Sequence, residues 1–147
     1  MSQILANKCA VFIILPHNVK NHLHMSGETV LVVEDEGLIA LHLTELLEKA
    51  GFHVIDPASS GEMALRMLEQ SPKPDLILMD IGIAGEFDGI EIARQIRLRY
   101  HIPIIFLTAY SDKNRMETAK EISPFGYLIK PVTEEDLLAA IKKALDL

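Results

Sequence analysis

From Thr29 onward, the spacing of apolar residues switches back and forth between two periods. Thr29–Val33 is a continuous apolar, β-branched run, the pattern of a strand buried on both faces. Residues 37–50 then place Ile39, Leu43, Leu46, Leu47 and Ala50 on one helical stripe, and Gly51 follows as the C-terminal stop. The alternation recurs four times. Further strands are expected at 53–55, 75–79, 103–107 and 126–129. A second helix should follow the capping pair Ser59 and Glu62, with Ala64, Leu65 and Leu68 inward, and end before Pro72 and Pro74. A third should open at Asp88 and Glu91 and run to Arg99. A weaker fourth should span 112–121 with Ser111 as its cap, and a fifth should follow Thr133, burying Leu137, Ile141, Ala144 and Leu145.

Five such units are too few for an eight-unit barrel. They predict an α/β fold, a flavodoxin-like doubly wound five-stranded parallel sheet of (βα)5 type. Composition agrees with one globular domain: 147 residues, 49% hydrophobic and 24% charged. The net charge of −7 with no basic run argues against direct nucleic-acid binding. A lone Cys9 offers no internal disulfide and fits a reducing, cytoplasmic setting. No apolar run reaches the ~20 residues of a membrane span.

Charge divides the chain. Residues 1–27 hold Lys8 and Lys20 and no acid, while residues 28–147 hold all 21 acids. We therefore separate an N-terminal extension, 1–27, from an acidic domain, 28–147. In the extension, Cys9–Leu15 faintly resembles a signal sequence but has no cleavage site close behind it. His17, His22 and His24 lie close together without an evident fourth ligand. The segment is expected to be a solvated tail, or a piece preceding a natural start at Met25.

In open α/β sheets, ligands bind beyond the carboxyl ends of the strands. There the sequence places Glu34-Asp35-Glu36, Asp80, Thr108-Ala109 and Lys130-Pro131. Clustered carboxylates need a cation, and hard oxygen ligands suit Mg²⁺. A carboxylate can also attack a phosphoryl group and form an aspartyl phosphate, whose charge Mg²⁺ and a lysine would neutralise. Singly, each residue has an ordinary explanation. Glu36 suits a helix N-terminus, Asp80 a turn, Tyr127 plain packing. Their joint placement at four strand ends is what points to phosphoryl chemistry. Met63, Met67 and Met116 read as core or helix-face filling, and the scattered His42, His53 and His101 as surface or partly buried residues rather than ligands.

The stretches VLVVEDE (30–36), DLILMD (75–80), DGIEIARQIR (88–97), IPIIFLTAY (102–110) and GYLIKP (126–131) resemble the receiver domain of two-component response regulators. The resemblance implies that Asp80 is the phosphoacceptor. Glu34 and Asp35 would hold Mg²⁺ with Asp80 and the backbone carbonyl of Gly82. Thr108 and Lys130 would bind the phosphoryl oxygens, and Tyr127 would be the switch aromatic that moves with Thr108. Small Ala109 would leave room for the donor, and Lys130-Pro131 would be cis. The implied partners are a sensor histidine kinase or phosphotransfer protein upstream, and a downstream protein reading the helix 4–strand 5–helix 5 face. With the chain ending after the fifth helix, output is expected by protein contact, from a stand-alone domain or a fragment of a hybrid.

The chain departs from the common pattern in three places. Ala84 stands where many receivers have proline, the 81–88 stretch is one residue longer, and Gly82 lacks a side chain while Tyr110 is bulky. Two other functions compete with a phosphoacceptor. One is a receiver-like interaction module that is never phosphorylated. The other is a Mg²⁺-dependent phosphohydrolase, disfavoured because Asp35 is followed by Glu36-Gly37 rather than a second Asp two residues on.

Overall fold

A computed structural model describes residues 27–122 and 125–147, so the readings made of Cys9 and the three N-terminal histidines lie outside the described residues. Among the described residues, five strands alternate with five helices. They are β1 (Thr29–Val33), α1 (Gly37–Lys49), β2 (His53–Ala58), α2 (Gly61–Leu68), β3 (Leu76–Asp80), α3 (Gly89–Arg99), β4 (Ile104–Thr108), α4 (Lys113–Lys120), β5 (Gly126–Ile129) and α5 (Glu134–Leu145). A 3-10 turn, Tyr110–Asp112, precedes α4. All strand pairs are parallel, in the order β2-β1-β3-β4-β5. This is the doubly wound (βα)5 sheet expected. The chain steps outward from β1 to β2 and then back past β1 to β3, and such a reversal of winding opens a crevice at the carboxyl edge.

Alternation along the strands divides the core into two layers. Leu31, Val33, Ile77, Met79, Ile104 and Phe106 pack toward α2, α3 and the Ala119 face of α4. Val30, Val32, Leu78, Ile105 and Leu107 pack with Leu43 and Leu47 of α1 and Leu137 and Ile141 of α5. The three central strands are thus covered on both sides, which is why they are nearly unbroken apolar runs. β2 lies at an edge, where Pro57 can sit in a strand without costing an interior ladder bond.

Three helix ends follow the sequence signals. The Asp88 side chain accepts from the Glu91 N–H, Thr133 accepts from the Asp136 N–H, and Gly51 takes φ 96°. Two signals need correction. Ser60, not Ser59, caps α2 by accepting from the Met63 N–H at 3.1 Å, because β2 stays extended as far as Ala58. Ser111 does not cap α4. It lies inside the 3-10 turn, and Asp112 at the cap position makes no side-chain cap bond.

Two boundaries also move, with consequences for chemistry. β3 and β4 each run one residue further than expected and so include Asp80 and Thr108. The ladder extends that far: Asp80 is in register with Leu107, and Thr108 with Ile129. Both polar residues therefore stand on the sheet rather than in loops. Behind Asp80, the first turn of α3 comes unusually close. A Cβ on Gly89 would stand 2.0 Å from the Asp80 carbonyl oxygen, so only glycine fits.

Candidate functional site

The carboxyl edge of the sheet gathers three acids and one ammonium. Glu34 follows β1 directly, and its N–H donates to the Ala58 carbonyl at 2.9 Å, which pins it at the crevice. Its side chain is buried. One oxygen, Oε2, accepts from Lys130 Nζ at 2.9 Å, and Oε1 accepts from the Glu36 N–H at 3.3 Å. Lys130 Nζ also lies 3.3 Å from Asp80 Oδ2. Asp80 Oδ1 accepts from the Gly82 N–H at 3.0 Å. Exposed Asp35 accepts from the Ala84 N–H at 3.1 Å, linking β1 to the β3–α3 loop. One carboxylate oxygen from each of Glu34, Asp35 and Asp80 falls within 4.8 Å of the others.

The electrostatics of this group are unbalanced. Burial pushes the Glu34 carboxyl up to about 7, and the negative charge of Asp80 adds to the rise, against the lowering effect of Lys130. Burial pulls Lys130 down, but its hydrogen bond to Glu34 and the charge of Asp80 outweigh that and hold it above the ordinary lysine value. Three carboxylates face one ammonium, so a hard divalent cation would complete the charge. The donor set fits one, with oxygen atoms only and Asp35 open to water.

The predicted residues are not all in one cluster. Glu34, Asp35, Asp80 and Lys130 come together. Thr108 is buried at the neighbouring strand end, and its hydroxyl donates to the Ala109 carbonyl at 3.2 Å. By strand alternation it shares the face of Phe106, not that of Leu107. Tyr127 is on that same face, in register with Phe106, with ring centroids 6.3 Å apart. Thr108 and Tyr127 therefore sit on one side of the sheet. Gly82 joins the site through its N–H, and the Lys130-Pro131 bond is cis.

Arg115 was not among the residues expected at the site. It reaches from α4 to Asp88 of the β3–α3 loop, Nη2 to Oδ2 at 2.6 Å. Burial would raise the Asp88 carboxyl, but the Glu91 N–H and Arg115 hold it below its ordinary value. A cation in the first turn of a helix runs against the helix dipole, and that was the one signal available.

With this fold and this acidic edge, the chain belongs to the response regulator receiver domain family, which it matches over residues 30–142. It is 37% identical over 116 residues to the transcriptional regulatory protein PdtaR of Mycobacterium tuberculosis, covering 79% of this chain and 56% of that protein. It is 32% identical over 124 residues to sporulation initiation phosphotransferase F of Bacillus subtilis, covering 84% of this chain and 98% of that one. Among solved structures, the signal receiver domain of a modulated diguanylate cyclase from Desulfovibrio desulfuricans G20 aligns with TM-score 0.75 and 38% identity, over 80% of this chain and 93% of that one. The chain spans about half the length of the first curated relatives it matches. Among the described residues, no helix is long and apolar enough to cross a membrane.

Proposed function

We propose that this domain is the phosphoacceptor of a two-component relay, taking a phosphoryl group from phosphohistidine onto Asp80. The observation that carries this is the position of Asp80. It ends β3 with one oxygen toward Lys130 and its carboxylate within reach of Glu34 and Asp35. In the transfer, an Asp80 oxygen forms a bond to phosphorus as the donor's N–P bond breaks, and the electron pair stays on the imidazole nitrogen. Lys130 then pairs with the new phosphoryl oxygens. Glu34, Asp35, Asp80 and the Gly82 carbonyl would hold Mg²⁺, which when bound supplies positive charge to the transferring group. Thr108 gives up its bond to the Ala109 carbonyl and donates to a phosphoryl oxygen instead. Tyr127, on the same face, follows into the space that Thr108 leaves.

An apolar groove lined by Leu38, Ile39, His42, Leu107, Lys130 and Pro131 shares its lysine with the site. A donor seated there brings its imidazole toward Asp80, and Leu38, 84% exposed, is the apolar contact it covers. Output goes through the α4–β5–α5 face, where Phe125 and Ile129 are half-exposed apolar residues beside Tyr127. The domain works in the cytoplasm as a signalling module taking one phosphoryl per chain, not as a turnover enzyme.

The test is incubation with radiolabelled acetyl phosphate and Mg²⁺. Wild type should take up acid-stable, base-labile label, and Asp80→Asn should take up none. Equal label on the Asn variant would sink the acceptor assignment. No label on either, with no spectral response to beryllofluoride, would favour the unphosphorylated interaction module. Catalytic release of phosphate from small phosphoesters would favour the phosphohydrolase.

A further inference from the structure

Lys130 is the cation on one side of Asp80. A second cation stands on the other. Arg115 reaches out of the first turn of α4, with Nη2 held 2.6 Å from Asp88 Oδ2. Asp88 is already committed through its other oxygen, Oδ1, which accepts from the Glu91 N–H at 3.0 Å and caps α3. The second nitrogen of the guanidinium, Nη1, is turned toward Gly82. It lies 4.0 Å from the point where a Gly82 Cβ would stand, and that same point is 3.7 Å from Asp80 Oδ1 and 3.9 Å from Asp112 Oδ2. Residue 82, being glycine, places no side chain between the arginine and the acceptor.

We propose that Arg115 is a second phosphoryl-binding residue, which engages the oxygens of a phosphoryl group on Asp80 from the side opposite Lys130. This rests on the assignment of Asp80 as acceptor. The phosphoryl group brings about two negative charges and three acceptor oxygens to a place that now holds one carboxylate. A guanidinium is a planar fork that serves two anions at once, so Nη1 can take a phosphoryl oxygen while Nη2 keeps or releases Asp88. The Arg115–Asp88 pair is partly open to solvent on both sides, and pairs of that kind hold weakly and exchange easily. A dianion outcompetes a single carboxylate for the same guanidinium. Asp112 shares the space, so without the arginine its charge would face the phosphoryl group uncompensated. Because Arg115 belongs to α4, this contact also draws the first turn of that helix toward the site, by a route separate from Thr108 and Tyr127.

The experiment titrates the full chain with beryllofluoride, a phosphoryl mimic, at saturating Mg²⁺, and measures Mg²⁺ affinity separately without it. Arg115→Gln should weaken beryllofluoride binding about tenfold, the usual scale for a charged hydrogen bond. Arg115→Lys should recover part of the loss. Asp88→Asn keeps a good helix cap but removes the competing charge, and should tighten binding about twofold, the scale of an exposed ion pair. Mg²⁺ affinity of Arg115→Gln should hold or rise, since a positive charge has left the neighbourhood of the carboxylates. Beryllofluoride affinity unchanged in Arg115→Gln would overturn the proposal. So would weaker binding in Asp88→Asn, or a parallel loss of Mg²⁺ and beryllofluoride in Arg115→Gln, which marks local unfolding. If wild type binds beryllofluoride no better than Asp80→Asn, it is the acceptor assignment itself that fails.

Discussion

Helices α3 and α4 flank the same site and are held very differently. α3 has eleven residues, a side-chain cap at Asp88, and Ile90, Ile92, Ala93 and Ile96 buried against the sheet. Its first turn lies against the Asp80 carbonyl with no room for a Cβ at Gly89. α4 has eight residues, follows a 3-10 turn, has no side-chain cap bond, and among its described side chains buries Ala119 fully. Burial and capping set the cost of displacing an element. The β1–β3–α3 side is therefore a fixed wall that positions the carboxylates, and the β4–α4 side is the more loosely held; under the proposed function it is where a new charge on Asp80 would be felt as movement.

The sharpest way to break this contrast is to remove apolar contacts from each helix. Ile96→Ala should lower unfolding free energy by about 3–4 kcal/mol, whereas Met116→Ala, on half-buried α4, should cost about 1. Urea midpoints check both, and equal losses would mean that α4 is as firmly held as α3. Next in size is Gly89→Ala, which forces a Cβ into the Asp80 backbone and should cost about 2–3 kcal/mol. Gly82→Ala should be nearly neutral in stability, because its nearest neighbour would be at 3.7 Å.

The wall also carries a pH signature. The Glu34 carboxyl lies near 7 in the folded protein against an ordinary value of 4.5. Raised in the native state, it favours folding while protonated, and this contribution is lost as pH climbs from about 4.5 to about 7. Without metal, wild type should lose about 2 kcal/mol relative to Glu34→Gln between pH 5 and pH 7.5. Saturating Mg²⁺ should reverse most of that loss at pH 7.5, and a flat difference between the two proteins would remove the electrostatic account of the cluster. The smallest effect expected is at the caps. Asp88→Ala should cost about 1 kcal/mol, while Ser111→Ala should cost nearly nothing. Hydrogen exchange should show the same order, with α4 amides opening at lower free energy than those of α3.

Much of the site was legible because its residues sit at strand ends, and strands announce themselves. Runs such as VLVV and LILM end where the apolar pattern ends, so Glu34, Asp35 and Asp80 could be located from polarity alone. Lys130 was readable for the same reason. The helix starts were less so. A serine cap is chosen by where the chain leaves its extended path, and β2 leaves it at Ala58, which moved the cap from Ser59 to Ser60. At α4, the 3-10 turn displaced the helix past Ser111, and no local pattern encodes that turn.

By itself, the sequence determined the alternation of strands and helices, the two-sided burial of the central strands, and the acidic and basic residues at the carboxyl edge. These depend on periodicity and residue type, which are local. Only the tertiary structure decided that Glu34 and Lys130, 96 residues apart, meet at 2.9 Å. It alone placed Thr108 and Tyr127 together on the Phe106 face of the sheet, and brought Arg115 over Gly82 toward Asp80. Those facts depend on strand order, register and the close approach of α3, which are set by packing the whole sheet at once.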